Sequence, residues 1–201
     1  MKSTERRARQ RESLRQEILD AARELFVAEG YERVTMRKIA DRIGYSPTTI
    51  YLHFEDKDDL LGAICDEAFG KLVQRLEKLD QWHPGDPLAQ LRAGLHEYAD
   101  FGLRNPAHYR LVFMQKQPDG LRGAFAGSGG ERAFAYLREG VAACVAAGLF
   151  REVDVEAAAQ SLWAAVQGVV ALFVVEKPFP FVSRDALVSM TIDTMIAGLR
   201  R

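Results

Sequence analysis

Cysteine is scarce in this sequence, which holds only Cys65 and Cys144 in 201 residues. Both lie among aliphatic residues in helical patterns, where small buried hydrophobes are expected, so no disulfide framework is predicted. Long apolar runs are also missing, because the longest, residues 162–175, has 14 residues and contains Gln167. That is too short to cross a bilayer, and no apolar run follows the basic N-terminus, so we expect no membrane span and no signal peptide. The sequence therefore predicts a cytoplasmic protein.

Net charge is nearly absent, since 27 Lys and Arg residues face 28 Asp and Glu residues for a formal charge of −1. The charge is unevenly spread: residues 1–57 carry 12 basic and 10 acidic residues, a net of +2, and the remainder carries 15 and 18, a net of −3. Within the first 16 residues, six basic residues face Glu5 and Glu12. A basic arm can bind phosphate, although most charge runs are simply solvated faces.

Patterns for catalysis or metal binding are missing as well, since the four histidines have neither a triad spacing nor a metal-site spacing. The segment "HEYAD" begins like a zinc-protease helix, but Asp100 stands where the second His is needed. A hydrogen-bonded surface pair of His96 and Asp100 is expected instead. The segment "GSGG" at 127–130 lacks the Lys of a phosphate loop, which predicts a flexible linker. We therefore predict no enzyme, no cofactor and no metal site.

Along much of the chain, apolar residues recur every three or four positions, the spacing of an α-helix. The first such run, from Leu14 to Phe26, is followed by Gly30, a residue that ends helices in the left-handed conformation. Thr35 can cap a second helix that ends at Gly44. No strand pattern is evident anywhere in the chain. The sequence predicts an all-α protein of about nine helices, the last three at 131–149, 154–176 and 183–200.

A short polar helix is predicted after Gly44, between two helices with stronger apolar patterns. Ser46 is placed to cap it, and Pro47 occupies its first position, where a missing N–H costs nothing. Two helices joined by a short turn with glycine form a helix-turn-helix, whose second helix enters the DNA major groove. Only Ile50 and Phe54, four residues apart, need to face inward. The polar character of the helix then indicates DNA binding.

The contacts with DNA are predicted from the side chains. Hydroxyls can hydrogen-bond to either base type and a threonine methyl packs on thymine, so Thr48 and Thr49 suit base edges. A phenol, an imidazole and an ammonium can reach phosphate oxygens, which predicts phosphate contacts for Tyr51, His53 and Lys57. The helix N-terminus capped at residue 35 offers free N–H groups to a further phosphate.

Residues 14–61 resemble the N-terminal domain of the TetR family of bacterial transcriptional regulators, on the segment "ILDAARELFVAEGYERVTMRKIADRIGYSPTTIYLHFEDKDDLL". The resemblance implies groove or backbone contacts for Arg37 and a base-facing position for Pro47. The family usually has Gly where this chain has Thr48, so the closest approach of the backbone to DNA is not carried over. The predicted DNA-contacting set is Thr35, Arg37, Ser46, Pro47, Thr48, Thr49, Tyr51, His53 and Lys57.

The rest of the chain resembles the family's regulatory domain more loosely. In one subgroup the eighth helix carries a Trp and a His-Gly pair; Trp163 and Gly168 fit, but Gln167 replaces the His, so that histidine's ligand chemistry is not carried over. The helix at 154–176 is apolar nearly all round and must be covered on every side. Pairing of the last two helices with a symmetry mate, as the resemblance implies, or burial in a monomer core would explain this.

The resemblance implies a homodimer, joined through its last two helices, that binds a palindromic double-stranded DNA operator. It further implies a repressor released by a small, mainly apolar effector. The alternatives are a transcriptional activator of the same fold, or a ligand-binding helical dimer without operator binding. The predicted divisions are a disordered or frayed basic arm at 1–13, the DNA-binding domain at 14–57 and the regulatory and dimerisation domain at 58–201. The predicted effector contacts are Phe101, Tyr109, Phe113, Trp163 and Gln167.

Overall fold

The computed structural model describes residues 2–79, 83–114, 127–175 and 179–201. In these ranges the chain forms nine α-helices and no β-strand, which confirms the predicted all-α class. A 3₁₀ turn at Tyr31–Arg33 follows the first helix, and a π-helical turn at Arg110–Met114 follows the sixth. The helices are α1 Lys2–Glu29, α2 Met36–Ile43, α3 Pro47–Tyr51, α4 Lys57–Leu79, α5 Pro87–Arg104, α6 Pro106–Tyr109, α7 Gly129–Ala146, α8 Val155–Val174 and α9 Arg184–Leu199.

Side-chain caps begin the helices where the sequence predicted them. The Thr35 hydroxyl accepts a hydrogen bond from the Lys38 N–H at 3.2 Å, and the Ser46 hydroxyl accepts one from the Thr49 N–H at 3.3 Å. Gly44 ends α2 at φ 73°, a left-handed conformation that favours glycine. The boundaries of the helix-turn-helix are therefore fixed by local chemistry before any packing is considered.

Residues 1–13, predicted as a disordered or frayed arm, are helical where the structure describes them. Residues 2–13 form the first three turns of α1, which continues without a break to Glu29. From residue 4 to residue 13 every side chain is exposed, so these turns project from the domain without covering any core. Arg and Gln are good helix formers, which favours continuation of the helix.

The first hydrophobic core lies between α1, α2, α3 and the start of α4. Ile50 and Phe54 are 0% and 2% exposed, as the sequence predicted, and they pack with Ile39 and with Phe26 of α1. A five-residue helix is far too short to be stable alone, so α3 exists because this core holds it. Leu111, from the turn after α6, is buried in the same core and links it to the second domain.

A second core joins α5, α7, α8 and α9. Leu162, Val166 and Val170 of α8 are buried there, together with Ile192 and Ile196 of α9. By length and composition α8 is apolar enough to cross a membrane, the one such helix among the described residues, but its buried face packs as a core helix does. An apolar core helix therefore accounts for this segment.

The predicted flexible linker at 127–130 is wrong. Ser128 caps α7 by accepting a hydrogen bond from the Glu131 N–H, and Gly129 and Gly130 form the first residues of the helix. The Gly129 N–H donates to the Asp66 carboxylate at 2.7 Å, and a Cβ at Gly129 would lie 2.7 Å from the Cβ of Phe69. Glycine is therefore needed at residue 129 because α7 begins in direct contact with α4.

Replacing Gly129 with Ala should lower the free energy of unfolding by about 1–3 kcal/mol, the usual cost of overpacking, because neither backbone can withdraw without moving a helix. The control is Gly70→Ala on the facing helix, where an added Cβ meets nothing within 4 Å and the change should be neutral or stabilising by up to about 1 kcal/mol. Urea unfolding of both variants measures the difference. Equal stabilities would show that the α4–α7 contact adjusts freely.

Candidate nucleic-acid interface

The outer face of α3 is formed by residues that the core does not use. Thr48 is exposed, Tyr51 is 54% exposed and Leu52 is 69% exposed, whereas Ile50 on the opposite face is completely buried. Leu52 was not among the predicted contacts, but an exposed leucine at the end of this helix can pack on a thymine methyl. Its position two residues after the buried anchor was the available signal. This face offers a hydroxyl, a phenol and an aliphatic group to a groove.

Thr49 is less accessible than predicted. It is half-buried, and its hydroxyl lies 2.9 Å from the Ser46 hydroxyl that caps α3. The Thr49 hydroxyl is thus engaged in the cap, and contact with a base edge would require it to share or exchange that hydrogen bond. Pro47 is half-buried at the first helical position. Among the predicted base contacts Pro47, Thr48 and Thr49, only Thr48 is exposed.

Residues at the start of α2 and in the turn before α3 border this face. Thr35 is exposed, and Arg37 projects into solvent with its guanidinium 4.0 Å from the Asp41 carboxylate. Tyr45 in the turn is 42% exposed, although its N–H is tied to the Ala40 carbonyl. An exposed tyrosine in such a turn can donate to a phosphate oxygen. Tyr45 was not among the predicted contacts, and its signal was an aromatic residue outside the apolar pattern.

His53 lies half-buried just after α3. Burial lowers its pKa below the ordinary value of 6.5, the positive charges of Arg11 and Arg15 on α1 lower it further, and Glu12 opposes them. The imidazole is therefore mainly neutral at pH 7 in the free protein. Arg15 also places its guanidinium 5.1 Å from the centre of the Phe54 ring. The N-terminal part of α1 thus runs beside the end of α3.

Lys57 has a structural partner that the sequence did not reveal. Its ammonium donates to the Tyr31 carbonyl at 3.0 Å and lies 4.0 Å from the centre of the Tyr31 ring. The Tyr31 hydroxyl in turn donates to Asp58. These contacts join the turn after α1 to the start of α4. An ammonium has three donors, so the half-buried Lys57 keeps donors for a phosphate, but its position is set by Tyr31.

Families of known proteins match both parts of the chain. Residues 18–64 match the model described as bacterial regulatory proteins of the tetR family, and residues 91–195 match the tetracyclin repressor-like C-terminal domain. The chain belongs to the tetR family. It is a transcriptional regulator with a DNA-binding helix-turn-helix domain, and the prediction that it is not an enzyme agrees with that family.

Two curated relatives are similar in sequence to this chain over part of their length. The HTH-type transcriptional activator FasR of Mycolicibacterium smegmatis is 34% identical over 103 residues, which are 51% of this chain and 47% of FasR. The fatty acid metabolism regulator protein of Bacillus subtilis is 37% identical over 62 residues, 31% of this chain and 32% of that protein. The regulator thus spans about half or less of the length of these relatives.

Solved structures of the family share the whole fold. A TetR/AcrR-family regulator from Thermobifida fusca has a TM-score of 0.69 at 27% identity, covering 94% of this chain and 100% of that one. SmeT, the repressor of the Stenotrophomonas maltophilia multidrug efflux pump SmeDEF, has a TM-score of 0.73 at 24% identity, covering 93% and 90%. The likeness to SmeT concerns the fold alone.

The regulator has a large cleft that is formed mainly by its second domain and extends to α1 of the DNA-binding domain. Its volume is about 1810 Å³, and its walls come from α1, α4, α5, α7 and α8. Six leucines and six aromatic residues line it, among them Phe113, Phe134 and Trp163, together with ten charged side chains. Clefts that combine apolar walls with polar groups are typical of small-molecule sites. The two predicted effector contacts that line this cleft are Phe113 and Trp163.

The other predicted effector contacts lie behind the cleft. Phe101 and Tyr109 line a small adjoining cavity of about 20 Å³, together with Phe113. Gln167 accepts a hydrogen bond from the Tyr98 hydroxyl, which itself accepts one from the Trp163 indole at 3.0 Å. Tyr98 lines the cleft and was not predicted. Gln167, which replaces the subgroup's histidine, does not line the cleft itself but is hydrogen-bonded to Tyr98, which does.

The expected pair of His96 and Asp100 is not among the hydrogen bonds and ion pairs of the described residues. Asp100 pairs with Arg104 at 2.8 Å, one turn along α5. Burial lowers the pKa of the half-buried His96, and the nearby Arg92 lowers it further, whereas Asp185 opposes them. In the ranges that the structure describes, no group of three His, Cys, Asp or Glu side chains could hold a metal.

Trp163 should report ligand entry into the cleft, because its indole lies on the wall and is 38% exposed. In a Trp82→Phe background Trp163 is the only tryptophan, and saturating binding of an apolar ligand should shift its emission to shorter wavelength as water leaves the ring. Straight-chain fatty acids and alcohols of increasing length are the first probes. A variant that also carries Trp163→Phe controls for scattering. Unchanged emission with every probe would remove this support for an effector site.

Proposed function

We propose that the regulator is a cytoplasmic homodimeric repressor that binds a palindromic operator through α3 and leaves it when a mainly apolar effector occupies the cleft. The observation that carries the DNA contact is the division of α3 into a buried face and an exposed one. Ile50 is completely buried, while Thr48 and Tyr51 point to solvent with no role in the core. A helix so divided is suited to lie in the major groove.

Dimerisation is supported by the outer faces of α8 and α9. Along α8 the small residues Ala157, Ser161, Ala164 and Gly168 are exposed at helical spacing and lead to Leu172, which is 38% exposed. Along α9 the exposed face is formed by Ala186, Met190, Thr194 and Ala197. Small residues let helix backbones approach closely, and Met190 is 66% exposed, an unfavourable position for a large apolar side chain in water. A second copy would cover both faces.

An effector of mainly apolar character is supported by the cleft. Carboxylates that border it are engaged in local contacts: Asp66 accepts from Gly129, and Glu67 pairs with Lys71 and Arg23. The neutral side chains of Tyr98 and Trp163 also line the cleft, and the Trp163 indole donates a hydrogen bond to the Tyr98 hydroxyl. Seven of the eight carboxylates in the described lining accept a hydrogen bond or form an ion pair within the described residues, so few are free to bind a charged ligand. An apolar body with one polar group fits this arrangement.

Repression is the proposed outcome, and activation is the second candidate. The relatives include both kinds, since FasR of Mycolicibacterium smegmatis is named an activator and AcnR of Corynebacterium diphtheriae a repressor. Occupation of an operator that overlaps a promoter blocks transcription without further contacts. Transcript levels of neighbouring genes after deletion of the regulator's gene decide between the two, because a repressor's targets rise and an activator's targets fall.

Replacing Tyr51 with Ala should weaken binding to the DNA upstream of the regulator's own gene and lower the salt slope by about one unit for each phosphate that the variant no longer binds. The fold should be unaffected because Tyr51 is more than half exposed. Val27→Ala is the control, since Val27 is 47% exposed on α1 and carries no predicted contact. Mobility-shift titrations at several salt concentrations measure both variants. If Tyr51→Ala binds as the control does, α3 does not lie on DNA as proposed.

Replacing Ala164 with Arg should give a monomer, because a large charged side chain in the centre of a small-residue helix contact prevents close approach. The unchanged regulator should have twice its chain mass of 22.5 kDa at micromolar concentration. Ala146→Arg, at an exposed alanine near the end of α7, is the control and should remain dimeric. Light scattering gives the masses. A monomeric mass for the unchanged regulator would overturn the dimer.

A further inference from the structure

The first turns of α1 are a structured surface with no structural task in the described chain. Residues 4–13 are helical, and every one of their side chains is exposed. The first residue of α1 to be fully buried is Ile18. Ordering ten residues costs conformational entropy, and here no buried apolar area offsets it. An extended charged helix of this kind is typical of a surface that meets a partner.

One face of this extension is basic. Arg7, Arg11 and Arg15 are four residues apart, so they share one side of the helix and are separated by about 6 Å along its axis. The same side continues into Ile18 and Ala22, which are buried in the core of the DNA-binding domain. The basic face therefore extends the packed face of α1 beyond the domain. Glu5 and Glu12 project from a different side of the helix.

This basic face lies beside the DNA-reading helix. The guanidinium of Arg15 lies 5.1 Å from the centre of the Phe54 ring, three residues after the end of α3. The charges of Arg11 and Arg15 also act on His53 strongly enough to lower its pKa further than burial does alone. The N-terminal part of α1 thus places positive charge beside one end of α3.

We propose that Arg7, Arg11 and Arg15 form a second DNA-contacting surface, which binds backbone phosphates beyond the groove segment occupied by α3. The inference rests on the proposed operator binding. It adds that the DNA contacted by each protomer extends beyond the palindrome on its side. Guanidinium groups bind phosphate oxygens in a bidentate manner, and such contacts supply affinity and register without reading bases.

DNA fits this surface better than an anionic membrane does. A helix that binds a lipid surface needs bulky apolar residues on the face opposite its charges. Residues 2–13 read "KSTERRARQRES", in which Ala8 is the only apolar side chain. The extension therefore has nothing to insert among acyl chains, while its arginines retain full access to phosphate.

The chain contains a matched control for this proposal. Arg6 and Arg9 are exposed in the same turns but project from the side of α1 opposite to Arg7 and Arg11. The double variants Arg7→Gln/Arg11→Gln and Arg6→Gln/Arg9→Gln remove the same charge from each protomer. Arg15 is left unchanged because it contacts Phe54. Neither pair contributes to the core, so circular dichroism and thermal unfolding should be unchanged for both.

Binding is measured by fluorescence anisotropy on two duplexes from the DNA upstream of the regulator's gene. One is trimmed to the palindrome, and the other extends about ten base pairs further on each side. On the longer duplex, Arg7→Gln/Arg11→Gln should weaken binding at least about tenfold and lower the salt slope by about four, because a dimer without these arginines binds about four fewer phosphates. Arg6→Gln/Arg9→Gln should change the slope by less than about one. On the trimmed duplex the two variants should be nearly equal.

The outcomes separate this inference from the proposed function. Failure of the unchanged regulator to bind either duplex would overturn operator binding, and the second surface with it. If the unchanged regulator binds but the two double variants behave alike on both duplexes, the second surface is wrong while operator binding stands. Vesicles of anionic phospholipid are tested in parallel. Loss of vesicle binding without loss of DNA affinity in Arg7→Gln/Arg11→Gln would assign the surface to membranes and overturn the DNA inference.

Discussion

The burial of Ile50 and Phe54 is the interaction on which the DNA-binding surface depends. Each side chain contributes about 1.5–3 kcal/mol when fully buried, which together with the Ser46 cap offsets the cost of ordering the five residues of α3. Because both anchors lie on one side, Thr48 and Tyr51 are held toward solvent without any core role. The cap at Ser46 fixes where the helix starts, and the anchors fix its rotation. Position and orientation of the reading face thus have separate causes.

Among the described residues, the two domains are joined through α4 and through the buried Leu111. At its start α4 contributes Leu60 and Leu61 to the first core, and near its middle Asp66 accepts the Gly129 N–H of α7. Leu111 enters the first core from the turn after α6, while Arg110 in that turn donates to the Val174 carbonyl at the end of α8. Packed contacts of this kind resist gradual deformation, so under the proposed effector mechanism a shift of α7 or α8 would reach the DNA-binding core as a rigid displacement.

Much of the helix-turn-helix could be predicted because its determinants are local. Gly44, Ser46 and Pro47 lie within four residues and specify a helix end, a cap and a helix start without reference to the rest of the chain. Contacts between distant residues could not be predicted in this way. Lys57 is fixed by Tyr31, 26 residues earlier, and the segment at 127–130 looked like a linker because its partner Asp66 is 63 residues away. The hydroxyl of Thr49 depends on a rotamer, which no spacing encodes.

The small surface that α3 offers to DNA gives a physical reason for the proposed dimer. One face of a five-residue helix reaches few base pairs, and each base pair contributes about 1–3 kcal/mol of discrimination, too little to select one site in a genome. Joining two such faces at a fixed separation doubles the contacts and adds spacing as a criterion. In the proposed dimer that separation would be set by helices far from DNA, because α4 joins the DNA-binding domain to the body formed by α5, α7, α8 and α9. The cleft is bounded by α1, α4, α5, α7 and α8, so a ligand between those helices would be placed to move α4 and change the separation.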